Sequence, residues 1–549
     1  MIGVIANPAE HSAVREFFEL FKTPWEFFRT GGTYEVVICS DASRLDSSAK
    51  LILIYGGREY PLDAERGVSG HAPIPEAVIL FKGSRLPLYG DCVKFETDGL
   101  PLLSEEHTQA AVTVSITSHG RTTVRIGYDL FREIGHLLSF GQPGIHAAIP
   151  ALELHIEFLR DVMVQNSIRF VEIPPVPEGF RFITCLTHDV DHPAIRNHKL
   201  DHTFFGFLHR ATFGSVLSVC RRRITLGQLW KNWIAVLKLP FVHLGIARDF
   251  WAQTERYLHL ERNFGSTFFI VPDKNYSGRQ VQKRHSGRRA TRYQASDIAD
   301  DLRKINAAGG EIGLHGIDAW LDGDSGRREC QRVSLAAGTM AHGVRMHWLC
   351  FDRRSPAALD EAGFSYDSSV GYNECAGYRA GTLQVYRPDG AEHLLELPLH
   401  IMDTALFYPA GMNLSAADAA VVVDAFLKDA GKFGGVITFN WHDRSLAPER
   451  LWDRFYIQLL ERLQNGQTWC PTAGRAVAWF RKRRSATIMG VQFNGASVRL
   501  QATLTKDTDD LPGLMIRIHN PPGPPRASGH GYADFPFNGD LDEITIQPN

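Results

Sequence analysis

The sequence is poor in the features that would assign it at a glance. Its 59 basic and 61 acidic residues leave a net charge of −2, so no overall field draws the chain to nucleic acid. No uninterrupted apolar run reaches the ~20 residues that span a bilayer. The nearest, Leu229 to Ala247, is broken by Lys231, Lys238, Pro240 and His243. Met1 to Pro8 has no basic stretch followed by an apolar core, and reads as a strand ending in a turn rather than as an export signal. The eight cysteines (39, 92, 185, 220, 330, 350, 375 and 470) contain no close pair at metal-ligand or redox spacing. There is no low-complexity tract and no phosphate loop. These absences argue against a nucleic-acid partner, a transmembrane segment and a disulfide scaffold, and the scattered thiols give the expectation of a reducing, cytoplasmic location.

What the chain does have is length and alternation. At 549 residues it exceeds a single ordinary core. Residues 1–172 alternate short apolar runs (35–39, 51–55, 78–81, 111–116 and 123–128) with helical periodicity at 12–21, 128–138 and 149–164, which predicts an N-terminal α/β accessory domain. Three prolines within Ile173 to Gly179 then forbid regular helix. From about 180 to 484, strands at 182–186, 266–271, 311–314, 343–346, 394–399 and 435–440 alternate with helices at 250–262, 297–308, 357–362 and 416–430. That pattern predicts a parallel sheet, open or closed into a barrel, with a helical insertion at about 200–248. Within the insertion, Trp230, Trp233 and Phe241 beside Arg221, Arg222 and Arg223 fit either a peripheral membrane contact or a helix packed on the surface. Residues 485–549 change to alternating runs at 487–493, 497–503 and 514–519, with a final strand at 543–547 after Pro521 to Pro525, and predict a small C-terminal β-rich module.

The polar residues of the central stretch fall at strand ends. Asp189 and Asp191 follow the first strand, His315 ends the third, and Arg345 and His347 end the fourth. Asp403 follows the fifth, and His442 and Asp443 end the sixth. In a β/α barrel such ends meet on one face, where active sites form. Carboxylates, histidines and an arginine gathered there are the material of a metal-dependent hydrolase. A cluster after the second strand, Arg279, Lys283, Arg284, Arg288, Arg289 and Arg292, is expected to rise from the same face, and either steers an anionic glycan or a diphosphate-linked sugar or forms a solvated loop.

These segments resemble the motifs of the polysaccharide deacetylases, the NodB-homology group (carbohydrate esterase family 4). Thr187-His188-Asp189-Val190-Asp191 resembles the first motif, Glu311 to Gly316 the second and Gly343-Val344-Arg345 the third. Phe364 to Ser369, Glu396-Leu397-Pro398 and Asn440-Trp441-His442 resemble segments that follow, in the family's order, over roughly residues 180 to 480. The resemblance implies an α/β fold with a distorted (β/α) barrel. It implies Asp189 as general base, Arg345 as the group that holds it and His442 as general acid. It also implies a divalent metal, most simply Zn2+, on Asp191 and His315.

The sequence departs from the family's pattern in two places. The second motif usually carries another histidine four residues after the first, where this chain has Ala319, and the third usually has proline where this chain has His347. His347 from the neighbouring strand or Asp318 could complete the metal sphere, and a reshaped or metal-free site is the remaining alternative. Asp318, Trp348, Arg379, Asp403 and Trp441 are the candidate substrate contacts. The expected reaction is removal of acetyl groups from N-acetylated sugars of a polysaccharide or glycan precursor. The rivals are another non-peptide C–N amidohydrolase on the same barrel and a non-catalytic glycan-binding protein.

Overall fold

The computed structural model describes residues 1–40, 47–221, 224–280, 288–494, 497–505, 510–520, 531–539 and 544–545. The chain divides into two compact units. One comprises Met1–Gly179, Tyr378–Asp389 and Trp479–Asn549, and the other Phe180–Gly377 and Gly390–Ala478.

The first unit is built on a six-stranded sheet whose order is Thr113–Ser118, Arg121–Ile126, Leu51–Tyr55, Val36–Cys39, Ile2–Ile5, Trp25–Phe27. Every neighbouring pair is parallel except the hairpin Thr113–Ser118/Arg121–Ile126. Val36–Cys39 and Leu51–Tyr55 are buried along their whole length, as continuous apolar runs in a parallel sheet must be. The helix His11–Phe21 buries Val14, Phe17, Phe18 and Phe21, and Asp129 caps Leu130–Ser139 by accepting from the amides of Phe131 and Arg132. The segment 485–549, expected as a module by itself, adds strands to this unit. Leu514–His519 pairs antiparallel with Phe170–Glu172 on one side and Tyr532–Phe537 on the other. Its anchor is the buried Glu172, which meets His519 at 3.0 Å and Arg160 at 2.9 Å. Burial pushes that carboxyl up, but Arg160, His519 and Arg517 outweigh it and hold it well below the ordinary range. Of the final strand, Ile544–Thr545 pairs with Ser497 and Val498, and the rest lies outside the described residues, as does Pro521 to Pro525.

His155 offers a pH test of this unit. It is fully buried beside the Tyr128 hydroxyl, and burial lowers its ring to about 3. Below the ordinary histidine value the unfolded chain takes up a proton that the folded protein refuses, so this contribution to stability is lost as pH falls through about 6.5. The thermal midpoint of the parent relative to His155→Gln should therefore drop between about pH 7.5 and about pH 5. A difference constant over that range would show that the ring becomes charged inside the fold.

The second unit is a curved parallel sheet, open at its ends: a distorted half-barrel. Its order is Leu395–Glu396, Tyr366–Asp367, Gly343–Met346, Glu311–Gly316, Ser266–Ile270, Phe182–Val190, Val436–Asn440, Ile401–Met402, with Thr468–Trp469 also against Phe182–Val190. All these pairs are parallel. Phe182–Val190 is buried at every position and runs four residues beyond the expected end at Leu186, so His188 and Asp189 lie in the strand itself. Of the expected strand at 394–399 only Leu395–Glu396 forms, ending before Pro398, which has no amide to donate, and a separate short strand, Ile401–Met402, pairs at the other end of the sheet. A helix at Gly323–Ala337 escapes the periodicity because it opens on Gly-Asp-Ser-Gly. Asp322 starts it by accepting from the Ser325 amide. The insertion forms the helices His202–His209 and Leu226–His243, and Phe207, Ala235, Leu239 and Val242 pack with Trp251 and Ala447.

Candidate metal centre

The sheet geometry brings Asp191, His315 and His347 together. His315 and Arg345 are register partners on adjacent strands, and Asp191 follows the end of Phe182–Val190. One ligand atom from each of Asp191, His315 and His347 lies within 4.8 Å of the others. His315 Nε2 is 3.4 Å, and His347 Nε2 3.6 Å, from Asp191 Oδ1. His315 Nδ1 sits 3.0 Å from the Arg345 carbonyl oxygen, which can only accept, so Nδ1 carries the proton and Nε2 presents its lone pair. Burial lowers His347 to about 3, which keeps its ring neutral. Asp191 Oδ1 is buried with no hydrogen-bond partner among the described residues. A carboxylate oxygen left unsatisfied between two ring nitrogens is costly unless something positive binds there. The donor set therefore fits a divalent cation, and its two nitrogens and one oxygen suit an ion such as zinc with positions left open.

Between the two candidates for the third position, the geometry separates His347 from Asp318. The Asp318 carboxylate accepts from the Tyr276 hydroxyl and, at 3.0 Å, from the Arg279 amide, and it pairs with Arg279 Nε at 3.2 Å. It braces a loop instead of facing the ligands. His347 is aimed by the turn that follows it. Trp348 and Leu349 both adopt left-handed backbone (φ 66 and 51), which costs non-glycine residues on the order of 1 kcal/mol or more each.

Asp189 stands beside this set but is held differently. Its Oδ1 accepts from Arg345 Nη1 at 3.0 Å and its Oδ2 from Asn440 Nδ2 at 2.7 Å. Burial opposes its charge, but His315, Arg345 and His442 outweigh that and keep it below the ordinary value. Arg345 is itself fully buried and fixed by Thr187 Oγ1, the Ser368 carbonyl and Ser368 Oγ. His442 also borders the set, its Nε2 3.9 Å from Asp191 Oδ2. Its Nδ1 is 2.6 Å from Asp403 Oδ1, and Asp403 Oδ2 accepts from the His442 amide and the Ser445 hydroxyl. Burial works against the imidazolium, but Asp403 outweighs it and lifts His442 to about 10.

Asp189, Asp191, His315, His347, His442 and Trp348 all line one cavity of about 590 Å3. Among the expected substrate contacts, only Trp348 does so. Trp441 is buried in an aromatic stack with Phe455 and Tyr456 at 5.8 and 5.1 Å, so its indole serves the core. Asp403 spends its oxygens on His442 and its loop. Asp318 is the loop brace already described. Arg379 belongs to the other unit, where its carbonyl accepts from the Gln142 amide at 2.7 Å. The arginine cluster is likewise mostly structural. Arg289 is buried and donates to the carbonyls of Ser277, Ile317 and His347, Arg279 holds Asp318 and Asp322, and Arg292 meets Asp201 and Asn275. Arg288 lines the cavity, and Lys283 and Arg284 lie outside the described residues. Asn440, the second anchor of Asp189, was present in the motif but carried no charge to draw notice. Arg210, Arg444 and Arg450 also line the cavity. Arg444, two residues past His442, was legible as a strand-end residue, whereas Arg210 comes from an insertion whose placement no local pattern reveals.

Fold and site together define a parallel β/α half-barrel carrying a His–His–Asp donor set at the carboxyl ends of its strands. Neither a family model nor a curated protein matches the chain. Solved structures with a similar fold include two described as deacetylases and one as an allantoinase. A Mycobacterium smegmatis protein described as a polysaccharide deacetylase is 20% identical over 56% of this chain and 95% of its own, with a TM-score of 0.35. The Puue allantoinase is 13% identical over 56% of this chain and 92% of its own, with a TM-score of 0.35. The Bacillus subtilis peptidoglycan deacetylase PdaC is 10% identical over 57% and 95%, with a TM-score of 0.27. The roles assigned below rest on the residues of this chain.

Proposed function

We propose that the chain is a metal-dependent hydrolase that removes acetyl groups from N-acetylated sugars of a polysaccharide or its precursor. The observation that carries this reading is the placement of a held carboxylate 3.8 Å from His315 and a held imidazolium 3.9 Å from Asp191, both beside the Asp191–His315–His347 set. A divalent ion on that set, zinc by preference, supplies Lewis acidity toward an amide carbonyl and acidifies water. Asp189, kept ionised and fixed by Arg345 and Asn440, is the base that accepts a proton from attacking water. His442, kept protonated by Asp403, is the acid that delivers a proton to the departing nitrogen, which leaves poorly as an anion. Asp403 is a positioning residue. Asp403→Asn should lower kcat roughly 10- to 100-fold with metal content unchanged, because the acid loses both its orientation and its charge partner. Parallel loss of metal would place Asp403 in support of the ligands instead.

Two expectations from the sequence belong to the same proposal. The cytoplasmic location, expected from the scattered cysteines, would favour a precursor over a finished wall polymer. Leu226–His243 is too short of apolar residues to cross a membrane, yet it exposes Trp230, Leu237 and Phe241 near Lys231 and Lys238, which supports a peripheral contact with a lipid surface. The decisive experiment is acetate release from several N-acetylated glycans by chelated protein before and after a divalent metal is returned. Metal-restored release is the expected result, and no release from any of them would contradict the reading.

A further inference from the structure

The cavity has a second charged wall that the proposed chemistry does not use. Arg210 comes from the helical insertion, and Arg444 and Arg450 from the segment after Val436–Asn440. Arg450 is only 6% exposed, and its Nε is buried without a hydrogen-bond partner, as is the Nε of Arg210. Two of the guanidinium groups are propped by aromatic faces. Arg450 lies 4.6 Å from the Tyr408 ring centre and 5.2 Å from that of Trp452, and Arg444 lies 5.1 Å from that of Trp251. Among the described residues, no carboxylate forms an ion pair with any of the three. The nearby Glu449 is buried with both oxygens unpartnered.

The three charges feel one another. Burial, then Arg450 and Arg444, lower Arg210 to about 10. Burial alone would raise the Tyr408 phenol, but Arg450, Arg444 and Arg210 outweigh it and draw it below its ordinary value. The other buried arginines of this unit differ in where their terminal nitrogens go: Arg345 gives them to Asp189, Thr187 and Ser368, and Arg289, whose Nε is likewise unpartnered, gives its own to three carbonyls. Burial and the neighbouring guanidinium groups outweigh Glu449, which favours the charge on Arg210 and Arg450, and Asp403, which favours that on Arg450, so the trio still costs free energy through desolvation and mutual repulsion. Planar guanidinium forks are suited to phosphate and carboxylate oxygens, which would remove that cost on binding.

We propose that Arg210, Arg444 and Arg450 form an anion subsite, so that the substrate is an acylated amino sugar bearing a phosphate or a carboxylate near the scissile amide. This specifies the substrate class of the hydrolase reading above and rests on it for the amide. Aromatic props hold Arg444 and Arg450 without neutralising them, and the anion anchors the sugar with its acylated nitrogen toward the metal ligands.

The test uses the full-length, metal-loaded protein with inorganic phosphate as the probe, followed by calorimetry. Phosphate should bind one per chain, and Arg450→Gln and Arg444→Gln should each weaken it by about tenfold or more, the worth of a charge-assisted contact. Arg444 is only half-buried, so its variant keeps the test decisive if the Arg450 variant fails to fold. Three sugars form the second arm: N-acetylglucosamine 1-phosphate, N-acetylmuramic acid and neutral N-acetylglucosamine. At least one anionic sugar should be preferred over the neutral one in kcat/KM, and that preference should shrink about tenfold in both variants. Which anionic sugar wins distinguishes phosphate from carboxylate. Arginine-dependent phosphate binding without hydrolysis of any sugar would uphold the subsite and defeat the hydrolase reading. Phosphate binding equal in the parent and both variants would overturn the subsite. So would a neutral sugar hydrolysed as well as the anionic ones, and either result would leave the hydrolase reading standing.

Discussion

Asp189→Asn is expected to lower kcat by about 10^2- to 10^4-fold while the protein keeps its full complement of metal, because the change removes a base and no ligand. The ligand atoms come from Asp191, His315 and His347. Asp189 Oδ2 is 3.8 Å from His315 Nε2, and both Asp189 oxygens are already engaged by Arg345 and Asn440. The substitution also has a structural cost. An asparagine can turn its oxygen to Arg345, but its amide then faces the Asn440 amide, donor against donor, and the buried Arg345 loses its carboxylate. A lowered thermal midpoint should accompany the kinetic loss, so activity must be compared below the unfolding range of the variant. Loss of metal in parallel with activity would show that Asp189 is a ligand, and unchanged kcat would remove it from the chemistry.

The second large effect is on metal content. Asp191→Ala and His315→Ala should each weaken metal binding by at least about 100-fold, since losing even an outer partner of a ligand commonly costs 10- to 100-fold. Activity should fall with occupancy and return only partly at high metal concentration. The two variants should differ in stability. Removing Asp191 takes away a buried carboxylate with an unpartnered oxygen and so relieves a cost in the metal-free protein. Removing His315 takes away the ring between Asp189, Asp191 and the Arg345 carbonyl, and leaves the two carboxylates facing each other. In the metal-free state His315→Ala should therefore melt below Asp191→Ala, read by calorimetry in chelator. Stoichiometric metal retained by either variant would contradict the donor set.

Much of this site was legible because parallel β/α architecture converts strand-end residues into neighbours. Asp189, Asp191, His315, Arg345, His347 and His442 could be gathered from their places at strand ends, and the resemblance to the deacetylase motifs let His347 be weighed as compensation for Ala319. Residues whose direction depends on long-range packing were not legible. Trp441 sits one residue before His442, yet alternation along the chain turns its ring into the aromatic core. Asp403 was visible as a strand-end acid, but its place behind His442 depends on the pairing of Ile401–Met402 with Val436–Asn440. Asp318 offers good oxygen donors, and its capture by Tyr276 and Arg279 depends on a loop that must fold back over 39 residues of sequence. The joining of residues 485–549 to the first unit depends on a strand pairing between Glu172 and Arg517, which no local pattern reveals.

The arginines teach the same lesson. Of the conspicuous run from Arg279 to Arg292, Arg279, Arg289 and Arg292 support the loop, whereas three further arginines of the cavity wall, without an ion pair among the described residues, are scattered over the chain at 210, 444 and 450. Charge density in a sequence reports exposure to solvent or a supply of partners. Function is better indicated by a charge that remains unpaired once the chain has folded.

The most direct test of the metal centre is X-ray absorption at the K edge of the metal bound to the full-length protein, with His347→Ala and Asp318→Ala as companions. Two imidazole rings and one carboxylate oxygen should fit the parent spectrum, with one imidazole lost in His347→Ala and no change in Asp318→Ala. A parent spectrum with a single imidazole, or a loss seen in Asp318→Ala and not in His347→Ala, would contradict the centre described here.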